Sequence, residues 1–305
     1  MIGLSQTVAD SCRTLREASH ERLAAGGSLC TGSGVLAWNG GRLDLHTDFG
    51  PPDQDKEGNQ DFVLAWVPHQ PRTQGLRWAV ALADGVTSSY HAEVAAEVAC
   101  WSGLAAVVGP ETTPAERARA GIDAAGQSIG ALADLIEDDA DAHRPDGEFE
   151  SSWRYTVREG LLLQTTLTLA WLEGNRFCVA MVGDGGAVVE LDGGAEPRLE
   201  VLAEADASTS QVHALGPRNR TVLELDCWRE VEIDGRSRLA LYTDGVCRGV
   251  QLSERSLFAE SDSVCRADGG TNVAESLVRR WIKTDARAFE DNLTLVLVTS
   301  LGPEE

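Results

Sequence analysis

The 305-residue sequence has no apolar run approaching the roughly 20 residues of a membrane-spanning helix. Its opening stretch, MIGLSQTVADSCRTLREASHERL, is too often interrupted by charge to serve as a secretory leader. No membrane partner is expected, and the expected location is the cytoplasm. Basic residues are few, 26 Lys and Arg against 48 Asp and Glu, and the resulting formal charge of −22 repels nucleic-acid backbones and anionic headgroups. Nucleic acid is therefore not expected as a partner. The seven cysteines (Cys12, Cys30, Cys100, Cys178, Cys227, Cys247 and Cys265) form no CxxC pair and have no His at zinc-site spacing, so they read as reduced thiols. None has an arginine six positions later, and GxSxG and P-loop patterns are missing, which leaves no protein nucleophile or phosphate loop of a familiar kind. Internal repeats and Pro- or Ser-rich linkers are missing too, and a single domain is expected.

What is present is a core. Apolar residues make up 43% of the chain, enough to bury a large interior. Residues 5–25 carry a modest helical stripe that ends at Gly26-Gly27. Val35 to Leu45 read as a hairpin around Asn39-Gly40-Gly41, and 61–68 and 77–84 as buried strands. A helix is expected after an N-cap at Ser89. A second is announced by the Thr113-Pro114-Ala115-Glu116 capping box, with an acidic irregular loop over 137–154. LLLQTTLTLAWL, RFCVAMVGD and AVVELD read as an antiparallel meander, followed by an aperiodic segment at 203–220 and strands near 221–233 and 238–243. A helix capped by Asn272 and a closing strand, LTLVLVT, complete the chain. Strands grouped with strands and helices with helices give an α+β layered sandwich.

Four aspartates stand at ends of apolar strands: Asp61 before FVLAWV, Asp84 after WAVALA, Asp244 after LALYT, and Asp291 ahead of LTLVLV. Any one Asp-Gly pair, Asp84-Gly85 or Asp244-Gly245, is an ordinary turn signal. Four carboxylates at the mouths of buried strands are different, because each is desolvated unless paired or bound to a cation. Oxygen donors with no His or Cys beside them select a hard cation, Mg²⁺ or Mn²⁺.

In order, the chain carries Gly58-Asn59-Gln60-Asp61, ALADGVTSS, Gln164-Thr165-Thr166, MVGDGGAVV, HALG at 213–216, LYTDGV and EDNLTLVLV. This series resembles the metal-dependent Ser/Thr phosphatases of the protein phosphatase 2C type, in their bacterial branch, over roughly residues 45–299. The resemblance implies a four-layer αββα sandwich of two antiparallel sheets flanked by helices. It divides the chain into an N-terminal helical extension and first strand (1–44), a phosphatase domain (45–299) with a flap-like loop at 203–220, and a tail (300–305). It implies two Mn²⁺ or Mg²⁺ ions, held by Asp84, the Gly85 carbonyl, Asp244 and Asp291, with Gln60 as a further ligand and Asp61 bonded to metal-bound water. A hydroxide between the two cations would attack phosphorus in line. Phosphorylated proteins would be the substrates and a Ser/Thr kinase the linked partner, with the enzyme a monomer.

The departures are specific. Gln60 stands where the family has Glu, bringing a carbonyl without a charge, so the second cation is expected to bind more weakly. Lys56 takes the place of the phosphate-holding Arg and supplies charge without the bidentate fork. Gly183-Asp184-Gly185-Gly186 replaces Gly-Asp-Ser-Arg. They leave open two other readings, a weak or inactive regulatory module and a hydrolase of small phosphoesters. Arg218 and Arg220, in the flap, are candidates to meet an anionic substrate. His46, His91 and His213 read as turn or surface residues, the tryptophans as core, and Thr165-Thr166 as β-formers beneath the cleft.

Overall fold

A computed structural model describes residues 5–38, 40–48, 59–70, 75–109, 112–142, 162–191, 197–203, 213–217, 225–233, 235–249, 254–267, 271–284 and 291–300. The chain opens with α1 (Gln6–Gly26), whose N-cap is Ser5, and continues through β1 (Gly27–Thr31), β2 (Gly34–Trp38), β3 (Gly41–Asp48), β4 (Asp61–Pro68) and β5 (Leu76–Asp84). Two helices follow, α2 (Ala92–Val107) and α3 (Pro114–Ala142), and then β6 (Leu167–Glu173), β7 (Arg176–Val182), β8 (Gly186–Leu191), β9 (Arg198–Ala203), β10 (Cys227–Glu232) and β11 (Ser237–Tyr242). The described chain closes with α4 (Asp244–Gly249), α5 (Glu254–Ala267), α6 (Val273–Thr284) and β12 (Leu293–Ser300).

The strands form two sheets, ordered β1-β4-β5-β6-β7-β10 and β2-β3-β12-β11-β8-β9, with antiparallel neighbours throughout. Period-two geometry explains why strands such as DFVLAWVP show no polar alternation. Val63, Ala65 and Val67 of β4 face the second sheet, and Leu64 and Trp66 face the helices α1 to α3 on the outside. Both faces are dry, so both sets of side chains are apolar. On the far side, Ala240, Leu295 and Leu297 of the second sheet pack under Phe258, Leu277 and Trp281 of α5 and α6. The layers are therefore helix, sheet, sheet, helix, the expected α+β sandwich.

Local signals explain the helix starts. Thr113 and Glu116 close the capping box: the Glu116 carboxylate accepts from Thr113 N at 3.0 Å, and Glu116 N donates to Thr113 Oγ1 at 3.3 Å. Asn272 caps α6 by accepting from Glu275 N at 3.2 Å, and it also ties that helix to β3 by donating to the Leu45 carbonyl at 2.8 Å.

Three expectations are corrected. The residue before α2 is His91, in the left-handed conformation at φ 57°, whereas the Ser89 hydroxyl accepts from Gln164 N at 2.9 Å and so fastens the loop after β5 to the start of the meander. Helix α3 continues through the acidic residues past 136, because neither Gly nor Pro interrupts them before Pro145. His46 is only 5% exposed, within β3, where its Nδ1 lies 2.6 Å from Ser33 Oγ. Strands β1 and β9 and helix α5 were not legible as elements. For α5 a signal existed: Leu257, Phe258 and Val264 recur at helical spacing and are buried.

The inter-sheet core sets the stability of the sandwich. Trp78 on β5 is fully buried and its ring lies 5.8 Å from that of Phe177 on β7. Replacing it with Ala leaves a cavity between sheets that cannot collapse far. Trp78→Ala is expected to cost about 3–5 kcal/mol, read as a lower denaturant midpoint with an unchanged slope.

Candidate active site

The pairing of strands brings the first two aspartates together. Asp61 opens β4, Asp84 ends β5, and the two residues are directly opposite in the ladder. Around them the backbone is fixed from both sides. Thr166 N donates to the Asp84 carbonyl at 2.8 Å, Asp84 N donates to Thr166 Oγ1 at 3.0 Å, and Thr165 Oγ1 donates to the Asp84 carbonyl at 2.9 Å. Thr165 and Thr166 thus hold the strand end that carries Asp84, in addition to lying beneath the cleft. Gly85 N donates to the Gln60 carbonyl at 3.1 Å, and Gln60 N in turn donates to Asn292 Oδ1 at 3.0 Å. That last bond joins the edge of one sheet to the edge of the other.

The second sheet supplies Asp244, one residue beyond Thr243 at the end of β11, and Asp291, two residues before β12. Both glycines of the Asp-Gly pairs are required by close approach and not by a left-handed turn. A Cβ on Gly85 would stand 2.8 Å from the backbone of Ala92 at the start of α2, and one on Gly245 would stand 2.0 Å from the Asn292 carbonyl oxygen. Each glycine therefore lets a second segment close over a strand end.

Hydroxyl groups position Asp61. Its Oδ2 accepts from Thr294 Oγ1 at 2.7 Å and from Thr243 Oγ1 at 3.0 Å. Behind Thr294 stands Thr47, hydroxyl to hydroxyl at 2.9 Å, and Asn59 Nδ2 donates to Thr47 at 2.8 Å. Since Thr294 has one hydrogen and gives it to the carboxylate, donation runs from Asn59 through Thr47 and Thr294 to Asp61. Sequence reading missed these groups because a threonine in a strand reads first as a β-former. The available signal was Thr243, immediately before Asp244-Gly245.

The electrostatics are those of crowded acid. Asp61 is 5% exposed, and its carboxyl is pushed up to about 7, chiefly by burial, against the lowering effect of hydrogen bonds from Asp84, Thr294 and Thr243. Asp84 is raised well above the ordinary carboxylate range, by burial first and then by the charges of Asp61, Asp244 and Asp291. Because Asp84 retains some contact with solvent, the like-charge part is the firmer of its two causes. Asp61 and Asp84 are in hydrogen-bond contact, so without a cation the pair retains a proton.

Whether a cation fits can be tested on the oxygens. Among the described residues, no amide, hydroxyl or basic group donates to buried Asp61 Oδ1 or Gln60 Oε1, and acceptors left in this state are costly. No group of three His, Cys, Asp or Glu side chains among the described residues already stands at cation-holding separation. Unsatisfied oxygen acceptors and mutually repelling carboxylates are nonetheless the donor set of a hard cation, and the residues fit one. Of the sequence-derived candidates, Asp61, Asp84, Gly85 and Gln60 come together, with Asp244 and Asp291 close enough to raise Asp84. Lys56, Arg218 and Arg220 lie outside the described residues, as does most of the 203–220 flap.

Comparison with known proteins agrees with this geometry. The family model described as Protein phosphatase 2C matches residues 53–281. The chain belongs to the protein phosphatase 2C family. That family's activity is metal-dependent hydrolysis of phosphoserine and phosphothreonine in proteins, with Mn²⁺ or Mg²⁺ as the cation. Among solved structures, the catalytic domain of the serine/threonine phosphatase PstP with two manganese ions gives a TM-score of 0.56 at 20% identity, covering 90% of this chain and 100% of that one. The Mycobacterium tuberculosis phosphatase PstP/Ppp gives 0.55 at 22% identity, covering 86% and 99%. Staphylococcus aureus Stp1 gives 0.56 at 15%, covering 85% and 95%. At these identities the likeness is one of fold. A search of curated protein sequences gives no match.

The raised carboxyls make a signed prediction. A group whose folded pKa lies above its unfolded value holds its proton longer when folded. Its contribution to stability is complete below about pH 4 and is lost as pH rises through about 7. Manganese replaces that proton as the source of positive charge. Metal-free protein is expected to lose melting temperature from this source between pH 5 and 7.5. Manganese at a hundredfold its pH 7.5 Kd should restore about 2.7 kcal/mol there, and the same concentration should give a smaller rise at pH 5. An equal rise at both values would show that the metal does not compete with this proton.

Proposed function

We propose that Asp84, the Gly85 carbonyl, Asp244, Asp291 and Gln60 hold the cations of a protein phosphatase 2C reaction centre, and that Asp61 orients the attacking water. The observation that carries this reading is the Asp61–Asp84 pair at the mouth of two apolar strands, repelled by two further carboxylates and left with orphaned acceptors. The cations, when bound, bring the pKa of water toward neutrality and offset charge on the phosphoryl oxygens. The protein's own contribution is placement. Thr243 and Thr294 occupy Asp61 Oδ2, leaving Oδ1 to accept a hydrogen bond from water. The Asn292–Gln60–Gly85 chain of hydrogen bonds fixes the backbone of Gln60 and the backbone amide of Gly85 relative to both sheets. Lys56 supplies positive charge for the substrate phosphate, and Arg218 and Arg220 meet the anionic chain around it. The substrate is a phosphorylated protein made by a Ser/Thr kinase, and the enzyme works as a monomer in the cytoplasm.

Asp84→Asn and Asp244→Asn each remove a charge that the cations need and relieve repulsion in their absence. Both are expected to lower manganese-dependent hydrolysis of a phosphopeptide at least 100-fold while melting in chelator stays equal or rises. Near-normal turnover in either variant would place the centre elsewhere. Wild-type protein that binds manganese and a phosphopeptide but hydrolyses neither that peptide nor an aryl phosphate would be a binding module instead, and preference for free phosphoesters over phosphopeptides would mark a small-molecule hydrolase.

Gln60 gives a graded test. Its carbonyl donates a lone pair but no charge, so a cation there gives up hydration for a smaller electrostatic return. The manganese concentration for half-maximal activity should fall in Gln60→Glu and rise in Gln60→Ala. Identical midpoints across the three proteins would show that Gln60 does not face the cation.

A further inference from the structure

The strand ends remote from the aspartates enclose a second cavity. It measures about 390 Å³ and lies between Trp38 and Arg42 on one side and Phe258 and Cys265 of α5 on the other, with Arg236 and Arg238 where β11 begins. From Leu293, at the catalytic edge of β12, to Thr299, in the cavity wall, is six residues, about 20 Å at a strand's rise. This cavity is therefore separate from the phosphatase cleft, and its volume is that of a small-molecule site.

Its charge is unlike the rest of the surface. In a chain with 26 basic and 48 acidic residues, its lining holds three arginines against two aspartates, Asp44 and Asp262. Two are already committed. Arg42 forks onto Asp44 and donates to the Thr271 carbonyl at 2.6 Å. Arg238 donates to Glu190 at 2.7 Å and to Asp262 at 2.6 Å, and lies 4.9 Å above the Phe258 ring. These pairings, two arginines against three carboxylates, leave neither guanidinium free for an anion and hold the walls in place. Arg236 is different: it is exposed and makes no ion pair among the described residues. Beside it the wall turns apolar, at Phe258, Val273 and Leu297.

We propose that this cavity is a second binding site, for a small organic anion: a carboxylate, sulfonate or phosphate head on an apolar ring or chain. The head takes the guanidinium fork of Arg236, which suits planar or tetrahedral oxyanions. The apolar body lies against Phe258, Val273 and Leu297. Both parts are needed. The protein's overall negative field opposes any anion, and one exposed arginine does not overcome it without the apolar area that the walls provide. Inorganic anions are discriminated against for that reason.

Cys265 reports on the site, because it lines the cavity and is an exposed thiol, whereas Cys12 lies on α1, away from the cavity, and is only half-buried. Full-length protein is labelled with N-ethylmaleimide, with and without naphthalene-2-sulfonate, and each cysteine peptide is followed by mass spectrometry. The expected result is saturable slowing of Cys265 labelling, at least fivefold, with Cys12 unaffected. Arg236→Gln should weaken the protection about tenfold in sulfonate concentration, and Arg236→Glu should abolish it. Arg198→Glu, the same charge change at an exposed position on β9, should retain it. Sodium sulfate at equal ionic strength should give none. No protection at saturating sulfonate, protection unchanged in Arg236→Glu, or equal protection by sulfate would each overturn the proposal.

Discussion

Like-charge repulsion at the edge of two sheets is the constraint around which this fold is arranged. Asp61 and Asp84 face each other because β4 and β5 pair in one register, and a shift of one residue would break that juxtaposition and turn the side chains of the shifted strand toward the wrong layer. The apolar sequence of those strands fixes that register from both sides, toward the helices and toward the second sheet. The core therefore does more than stabilise the molecule. It forces together carboxylates that would separate in water, and the Trp78–Phe177 contact between sheets helps to pay for that proximity.

Rigidity at the site comes from short groups with few rotamers. Thr47, Thr243 and Thr294 come from three adjacent strands of the second sheet, yet two of them donate to an aspartate of the first. A longer donor, such as Lys or Arg, would neutralise Asp61 and remove the repulsion that makes the site receptive to a cation. Hydroxyls fix one carboxylate oxygen without supplying charge. The same economy applies to the glycines, where Gly85 and Gly245 omit a side chain so that α2 and the start of β12 can approach the strand ends.

Much of this was legible in the sequence, for physical reasons. A strand buried on both faces leaves an unbroken apolar run, and a carboxylate at its end is conspicuous. DFVLAWV and WAVALAD thus announced both the sheet and the two aspartates that meet at its end. The capping boxes at Thr113 and Asn272 were legible because they are local. What could not be read was long-range pairing: that Ser89 would serve a backbone amide of residue 164 instead of a helix, or that Asn292 would reach Gln60. Such bonds depend on which strands become neighbours, which no spacing within either segment encodes. Strand β9 (RLEVLA) is half-exposed and at a sheet edge, and it carries the weak pattern that an edge permits.

The net charge of −22 bears differently on the two ends of the sandwich. At the edge that carries Asp61 and Asp84 the crowded carboxylates favour divalent cations over anions, and a phosphoryl group would meet repulsion there without them. At the opposite edge the carboxylates Asp44, Glu190 and Asp262 are paired with arginines that stand second in their strands: Arg238 near the start of β11, which Asp244 follows, and Arg42 near the start of β3, which Asp48 ends. Arginines and aspartates thus stand at opposite ends of the same strands, six residues apart from Arg42 to Asp48 and from Arg238 to Asp244, so the pairing that orders the sheet also keeps the guanidinium groups away from the carboxylates that a cation would need.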